Sequence, residues 1–240
     1  MTEPNPSPKT FVLVHGAWHG GWCWARVAER LAAKGHKVLT PTLTGLGERS
    51  HLMSPDIDLD THVTDIVNVI RWERLENVVL CGHSYAGWVI SGVAEQVEAQ
   101  LSAIVYLDAF VPEDGESGLG LSAGSRRESL DRAIANGDVS RPAPPASGFG
   151  VNEADQPWVD ALMTPQPVGV SLKPIRLNGA RERVASKAYV VATGKPSPQF
   201  VAYHEALKSD PTWRLFEAPC GHDVMIDMPD LLTDILLEVA

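Results

Sequence analysis

Val78-Val-Leu-Cys-Gly-His-Ser-Tyr-Ala-Gly87 joins an apolar, β-branched run to a turn of small residues, and apolar residues then recur at helical spacing to residue 97. In a nucleophile elbow a strand enters a tight turn that leads into a helix, and the Ser of the turn projects above the sheet. The residues two before and two after that Ser must be small, as Gly82 and Ala86 are. The stretch predicts an elbow with Ser84 as nucleophile, in a GxSxA form. Alone, the short motif also fits a turn without function.

Other short apolar runs alternate with helical stretches along the chain, which is typical of a mostly parallel sheet flanked by helices. The fold class is therefore predicted to be α/β. The predicted strands are Phe11–Val14, Lys37–Thr40, Val78–Cys81, Ala103–Leu107, Ala188–Ala192 and Arg214–Phe216. The predicted helices are 59–72, 85–97 and a C-terminal helix that begins at Pro229.

Residues from about 112 to 185 break this alternation, because they are rich in Gly, Pro and Ser and contain only short helical patches. A linker between two domains is one interpretation, but the chain after Lys187 is too short to form a second domain. Long irregular insertions in compact domains usually serve as lids. We therefore expect one domain, residues 1–240, with a cap inserted at about 112–185.

Composition limits the partners of the protein. The 240 residues carry a formal net charge of −10, which repels nucleic acid and anionic membrane surfaces. The N-terminus lacks the basic and apolar regions of a signal peptide, and no apolar run could span a bilayer, so a cytoplasmic location is expected. Three widely spaced Cys and eight His form neither a disulfide framework nor a metal-ligand motif, so no metal or cofactor is expected. A homodimer is left open.

A Ser hydroxyl needs a base to remove its proton, and near neutral pH that base is most often His. His222 follows the last predicted strand and precedes the final helix, which suits the Ser, acid, His order of this kind of elbow. The Tyr85 N–H, at the start of the helix after Ser84, is one predicted oxyanion donor. The Gly-rich loop after Phe11–Val14 supplies the second predicted donor, the Ala17 N–H, and lacks the spacing of a phosphate-binding loop.

The chain resembles the α/β-hydrolase superfamily in FVLVHGAWHGGWCW, GHSYAG, IVYLDAFVPEDG and CGHD. Within it, the chain is similar to the plant methylesterase and hydroxynitrile lyase-like group and its bacterial carboxylesterase relatives, including pyrethroid-type esterases. The resemblance implies an α/β-hydrolase fold and a serine esterase without a cofactor. It would cleave small carboxylic esters through an acyl-enzyme intermediate.

The acid of the triad departs from that resemblance. Plant members take it from the loop after the strand that corresponds to Ala188–Ala192, and here that loop, residues 193–200, has no carboxylate. Asp108 ends the preceding strand, where some α/β-hydrolases carry their acid. We therefore predict Asp108 as the acid, with a turn-stabilising role as the alternative. Glu113, Asp114, Asp210 and Asp223 are poorer candidates.

The predicted substrate-binding residues are Gly16 and Trp18 in the oxyanion loop and Trp158 in the cap. Aromatic residues near the site indicate a small apolar or aromatic ester as substrate. Core packing is the competing role, and it is the one expected for Trp22, Trp24 and Trp88.

Three other functions on the same fold stay open. A hydroxynitrile lyase would use the same Ser and His, but lyases of this group carry Thr where Gly16 stands and Lys where Asp223 stands. A cofactor-free dioxygenase would need mainly a His and an Asp at the position of Asp108. A non-catalytic receptor for a small ligand would need neither a base nor an acid.

Overall fold

A parallel six-stranded sheet forms the centre of the computed structural model, which describes residues 7–240. Residues 1–6, which belong to the N-terminus considered above for a signal peptide, lie outside the described range. The strands, in chain order, are β1 (Thr10–Val14), β2 (Lys37–Leu39), β3 (Val78–His83), β4 (Leu101–Leu107), β5 (Ser140–Arg141), β6 (Gln166–Pro167), β7 (Ser186–Ala192) and β8 (Trp213–Ala218). The sheet order is β2-β1-β3-β4-β7-β8, and β5 pairs with β6 in a separate antiparallel ribbon.

Helices cover both faces of the sheet. They are α1 (Ala25–Ala33), α2 (Leu59–Trp72), α3 (Ala86–Val97), α4 (Gly124–Asn136), α5 (Ala146–Phe149), α6 (Gln156–Leu162), α7 (Ala180–Arg183), α8 (Pro198–Leu207), α9 (Val224–Asp227) and α10 (Pro229–Val239). Short 3₁₀ helices occupy Gly21–Trp24, Gly47–Leu52, Glu98–Gln100 and Gly169–Ser171. Among residues 7–240, no helix has the length and apolar content needed to cross a membrane.

The predicted α/β class and all six predicted strands are confirmed, with ends that differ by up to two residues. Side chains alternate between the two faces of a strand, and here both faces are buried. In β1, Val12 and Val14 pack with α2 and α3, whereas Phe11 and Leu13 pack with α1 and α10. This two-sided burial explains why the strands are continuous apolar runs in the sequence.

The segment 112–185 contains two features that the sequence did not predict, helix α4 and the β5–β6 ribbon. Helix α4 is 13 residues long, where only short helical patches were expected. Only Leu130 and Ala133 of this helix are buried, so it lacks the apolar stripe that makes a helix visible in sequence. Its C-terminus has an identifiable signal, because Gly137 adopts a left-handed φ of 71°.

All sheet strands are parallel, so their carboxyl ends share one edge. The loop that begins at His15 follows β1, Ser84 follows β3, Asp108 follows β4 and His222 lies shortly after β8. Parallel topology thus brings to one edge residues that are more than 200 positions apart in the chain.

Helix α3 approaches the loop after β4 very closely at Gly87. A Cβ atom on Gly87 would lie 1.9 Å from the Phe110 carbonyl oxygen, which belongs to the backbone and has little freedom to move. The same loop is tied to the elbow by a hydrogen bond from Phe110 N–H to the Ser84 carbonyl, 3.2 Å long. Gly87 therefore sets the distance between the elbow and the end of β4.

We expect Gly87→Ala to lower the free energy of unfolding by about 1–3 kcal/mol, as overpacking does, although Ala favours a helix over Gly by about 1 kcal/mol. Gly92→Ala, in the same helix, is the matched control, because its Cβ would meet a Val63 methyl group at 2.7 Å and side chains can shift. Urea unfolding measures both. A Gly87→Ala protein as stable as the Gly92→Ala protein would contradict this account.

Candidate active site

The elbow holds Ser84 in a strained backbone conformation. Its φ is 54°, in the left-handed region that non-glycine residues seldom occupy. The Ser84 N–H donates to the Leu107 carbonyl at 3.1 Å, and the Ser84 carbonyl accepts from the N–H groups of Gly87 and Phe110. Gly82 and Ala86 pack closely, since a Cβ on Gly82 would lie 2.9 Å from the Ala86 oxygen. These contacts fix the conformation and leave the partly exposed Ser84 facing a cavity.

Asp108 and His222 are joined by a short hydrogen bond, 2.6 Å from Oδ2 to Nδ1. Asp108 is 1% exposed, has a φ of 40°, and donates its N–H to the Val190 carbonyl at 2.7 Å. Its second carboxylate oxygen accepts the Ala192 N–H at 3.0 Å. Because a carboxylate only accepts hydrogen bonds, the proton of the neutral imidazole is on Nδ1 and Nε2 keeps its lone pair.

The imidazole of His222 is held by aromatic neighbours. Its ring stacks on Phe200, with centroids 5.4 Å apart and planes 9° apart, and on Phe149 at 5.9 Å. The His222 N–H donates to the Phe149 carbonyl at 2.8 Å. Its carbonyl accepts from His83 Nε2, which belongs to the residue before Ser84. His222 is thus anchored to the elbow through its own backbone.

The loop after β1 passes directly over the elbow. A Cβ on Gly16 would lie 2.8 Å from His83 Nδ1 and 3.0 Å from Ser84 Cβ, so only Gly fits here without a shift. Ala17 and Tyr85 both line the same cavity as Ser84. Within the described residues, neither of their backbone N–H groups has a hydrogen-bond acceptor. Two free donors beside a Ser hydroxyl can hold an oxyanion.

A buried ion pair fastens this loop to the His222 loop. His19 Nε2 lies 3.2 Å from Asp223 Oδ2, and His19 Nδ1 donates to the Ala17 carbonyl at 2.8 Å. Burial disfavours the charged form of both side chains, but the attraction between the two partners outweighs the effect of burial. The pKa of Asp223 therefore lies well below its ordinary value, and the pKa of His19 lies above its ordinary value. His83 is different, because burial and then the neighbouring His222 lower its pKa and keep it neutral.

The cavity beside Ser84 has about 430 Å³ of empty space, part of it open to solvent. Its lining on the sheet side is Ala17, Trp18, Ser84, Tyr85, Trp88 and Phe110. Its lining from residues 112–185 is Gly118, Ser122, Arg126, Leu130, Arg141, Gln166 and Ser171. More than half of the lining therefore comes from the segment predicted as a cap.

Two of the predicted substrate-binding residues do not line this cavity. Trp158 packs edge-on against Trp22 at 5.2 Å and under the Arg26 guanidinium at 5.3 Å, because α6 carries it to the opposite face of the sheet. Gly16 lies behind Ser84 and makes room for the elbow. Trp18 does line the cavity, and so does Trp88, which was expected to serve core packing alone.

The cavity residues that the sequence did not predict include Phe110, Arg126, Leu130, Arg141 and Gln166. Phe110 belongs to the IVYLDAFVPEDG stretch quoted above, and the other four lie in the irregular segment, where no periodicity indicates the direction of a side chain. A weak signal existed for Phe110, since it is two residues after Asp108 at the end of β4.

Comparisons with known proteins identify a family, similar sequences and similar folds. Residues 11–235 match the Alpha/beta hydrolase family. A carbendazim hydrolyzing esterase from Nocardioides sp. (strain SG-4G) is 40% identical over 94% of this chain and 97% of its own length. Methylesterase 1 of Arabidopsis thaliana is 34% identical over 45% of this chain and 41% of its own. An extracellular alpha/beta-hydrolase from a Paenibacillus species shares the fold, with a TM-score of 0.81, 23% identity and coverage of 97% and 99%.

His15, at the start of the loop over the elbow, is fully buried and neutral. Its Nδ1 donates to the Gly16 carbonyl at 2.8 Å, and its Nε2 accepts the Leu43 N–H at 3.0 Å. Burial lowers the pKa of His15 to about 3. The unfolded chain takes up this proton below about pH 6.5, so the stability that His15 contributes is full above that pH and is lost as pH falls towards 3.

We therefore expect wild type to lose about 2 kcal/mol more unfolding free energy than His15→Gln between pH 7 and pH 5, at about 1.4 kcal/mol per pH unit. Urea unfolding at a series of pH values measures the difference. His51→Gln, at an exposed position, is the control and should follow wild type. If the unfolding free energies of wild type and His15→Gln changed with pH in parallel, His15 would take up its proton as readily in the folded protein as in the unfolded chain, which would contradict this account.

Proposed function

The chain belongs to the Alpha/beta hydrolase family, and from this premise we propose that it hydrolyses small carboxylic esters through an acyl-enzyme intermediate on Ser84. The relatives named above are an esterase and a methylesterase, which confirms the predicted class of activity, carboxylic ester hydrolysis. The observation that carries the mechanism is the 2.6 Å hydrogen bond between Asp108 and His222 at the sheet edge that also carries Ser84.

In the proposed cycle, Ser84 Oγ attacks the ester carbonyl while His222 Nε2 accepts its proton. Asp108 keeps the Nδ1 proton in place and stabilises the imidazolium without taking the proton. The Ala17 and Tyr85 N–H groups hold the oxyanion, and each such donor is typically worth about 3 kcal/mol in the transition state. His222 returns its proton to the leaving alcohol, and water, activated by the same His, then releases the acid. The cycle uses no metal or cofactor.

The apolar wall of the cavity, formed by Trp18, Trp88, Phe110 and Leu130, fits the body of a small apolar or aromatic ester. We propose that residues 112–185 act as the cap of a single domain, because they supply seven of the lining residues. A cytoplasmic location and the absence of nucleic-acid and membrane partners stay predictions, and a homodimer stays open.

The lyase alternative finds no support at the two positions on which it depends. A Thr in place of Gly16 would collide with His83 and Ser84. Asp223, where those lyases carry Lys, is fully buried and paired with His19. The dioxygenase and receptor alternatives are separated from an esterase by turnover of p-nitrophenyl esters with and without oxygen.

We expect a fluorophosphonate probe to label the protein at Ser84, because it reacts quickly only with a Ser that has a base and an oxyanion hole. Mass spectrometry of the labelled peptide identifies the site. Ser122 lines the same cavity, so Ser122→Ala is the matched control and should still be labelled. Labelling that survives in Ser84→Ala would refute the assignment.

Asp108→Asn should fold yet lower kcat by about 10²–10⁴, since the amide no longer selects the imidazole tautomer with its proton on Nδ1. KM should change little, because Asp108 does not line the cavity. Asp210→Asn is the control, because that carboxylate is exposed and bonds only locally to Thr212. Steady-state kinetics with circular dichroism decide the matter, and an Asp108→Asn enzyme within a few-fold of wild type would leave Asp108 a turn residue.

A further inference from the structure

Arg141 is an unusual residue to find beside a Ser nucleophile. It is only 7% exposed, lines the cavity with Ser84, and has a buried Nε without a hydrogen-bond partner. Its guanidinium lies over the Trp18 ring, 4.6 Å from the centroid. In the part of the chain that the structure describes, it forms no ion pair. A buried cation without an anion is costly, which indicates that a ligand supplies the anion.

A second cation strengthens this indication. Arg126 lines the same cavity, with its guanidinium 4.8 Å from the centre of the Phe110 ring and only a 3.5 Å contact to the Gln199 side chain. None of the lining residues is Asp or Glu. Burial, and then the neighbouring Arg126, lower the pKa of Arg141 to about 10, so it stays charged at neutral pH. The cavity is positive inside a protein whose net charge is −10.

Gln166 adds an uncharged donor. It is 1% exposed, and its Oε1 accepts the Trp18 N–H at 2.8 Å, which fixes the side chain. Its Nε2 is buried and has no partner among the described residues. Arg141 in β5 and Gln166 in β6 are directly paired in the antiparallel ribbon, so the two free donors come from one rigid unit.

We propose that the physiological substrate is an ester that also carries a carboxylate, which Arg141 binds with help from Arg126 and Gln166. This inference rests on the proposed esterase function. Arginine matches the planar geometry of a carboxylate and forms two parallel hydrogen bonds with it. The aromatic residues Trp18 and Phe110, each covered by one arginine, contact the apolar part of the substrate between its carboxylate and its ester.

Hydrolysis then yields an alcohol and a carboxylic acid, one of which retains the recognised carboxylate. The charge is on the acyl side in a monoester of a dicarboxylic acid, and on the alcohol side in an acylated hydroxy acid. Both present the same group to Arg141, and matched substrates distinguish them.

The test compares kcat/KM for each anionic ester with that for its neutral amide analogue of the same shape. The acyl arm uses the monomethyl esters of succinate, glutarate and adipate against the corresponding methyl ester amides. The alcohol arm uses 3- and 4-acetoxybenzoate against the acetoxybenzamides. Because a hydrogen bond to a charged group is strong, wild type should prefer the anion about 10- to 100-fold in one arm.

Variants assign that preference to the arginines. Arg141→Gln should bring the anion-to-amide ratio close to one, Arg126→Gln should lower it, and Arg141→Lys should retain part of it because the charge remains. Arg127→Gln is the matched control, since Arg127 is the neighbouring residue in α4 but is exposed and paired with Asp131. It should keep the wild-type ratio. An unchanged ratio in Arg141→Gln would overturn the proposal, whatever the result for Arg126→Gln.

The remaining outcomes separate this inference from the esterase function. If wild type hydrolyses the neutral esters but prefers no anionic ester in either arm, the carboxylate proposal fails and the esterase function stands. If no ester is hydrolysed, the esterase function fails, and calorimetry on Ser84→Ala then tests anion binding by itself. There, an anionic ester of the series should bind at least tenfold more tightly than its amide, and equal affinities would overturn the proposal.

Discussion

Ser84 has a left-handed backbone conformation that costs free energy, typically about 1–3 kcal/mol at such positions, and the surrounding structure is arranged to enforce it. The constraint is a close approach of three backbone segments. The end of β4 accepts the Ser84 N–H, the loop after β4 donates to the Ser84 carbonyl, and Gly87 lets that loop lie against α3. Asp108 belongs to the same loop and also has a positive φ. The conformation of Ser84 and the position of Asp108 are therefore set by the same contacts.

Electrostatics differ sharply between the two sides of the elbow. Behind it, the buried charges of His19 and Asp223 neutralise each other and fasten two loops together. In front of it, the charges of Arg126 and Arg141 lack any acidic neighbour in the cavity. Burial disfavours all four charges. Within the described chain, His19 and Asp223 have each other as partners, whereas Arg126 and Arg141 have no acidic partner in the cavity. Positive charges without an acidic partner in a cavity are typical of a site that binds an anionic ligand.

The sequence was most informative where a residue's chemistry and its place in a strand or turn coincide. Ser84 stands in a steric motif, His222 follows the last strand, and the strands are apolar runs because both their faces are buried. The cavity wall could not be predicted, because Arg126, Arg141 and Gln166 come from a segment without periodicity. Their positions depend on the short β5–β6 pairing and on α4, whose outer surface is polar. The position of Trp158 was not predictable for the same reason, since nothing in the sequence shows which face of the sheet α6 covers.

The position of Asp108 beside His222 follows from the register of neighbouring parallel strands. β4 and β7 are adjacent, and Leu107 pairs with Val190, so their carboxyl ends lie side by side. A carboxylate at either end can therefore come near a His that follows β8, the next strand. In this chain the end of β7 contributes a backbone donor instead, because the Ala192 N–H binds Asp108 Oδ1 while Oδ2 binds His222. Asp108 thus reaches the His222 imidazole from the end of β4, and the end of β7 orients its carboxylate.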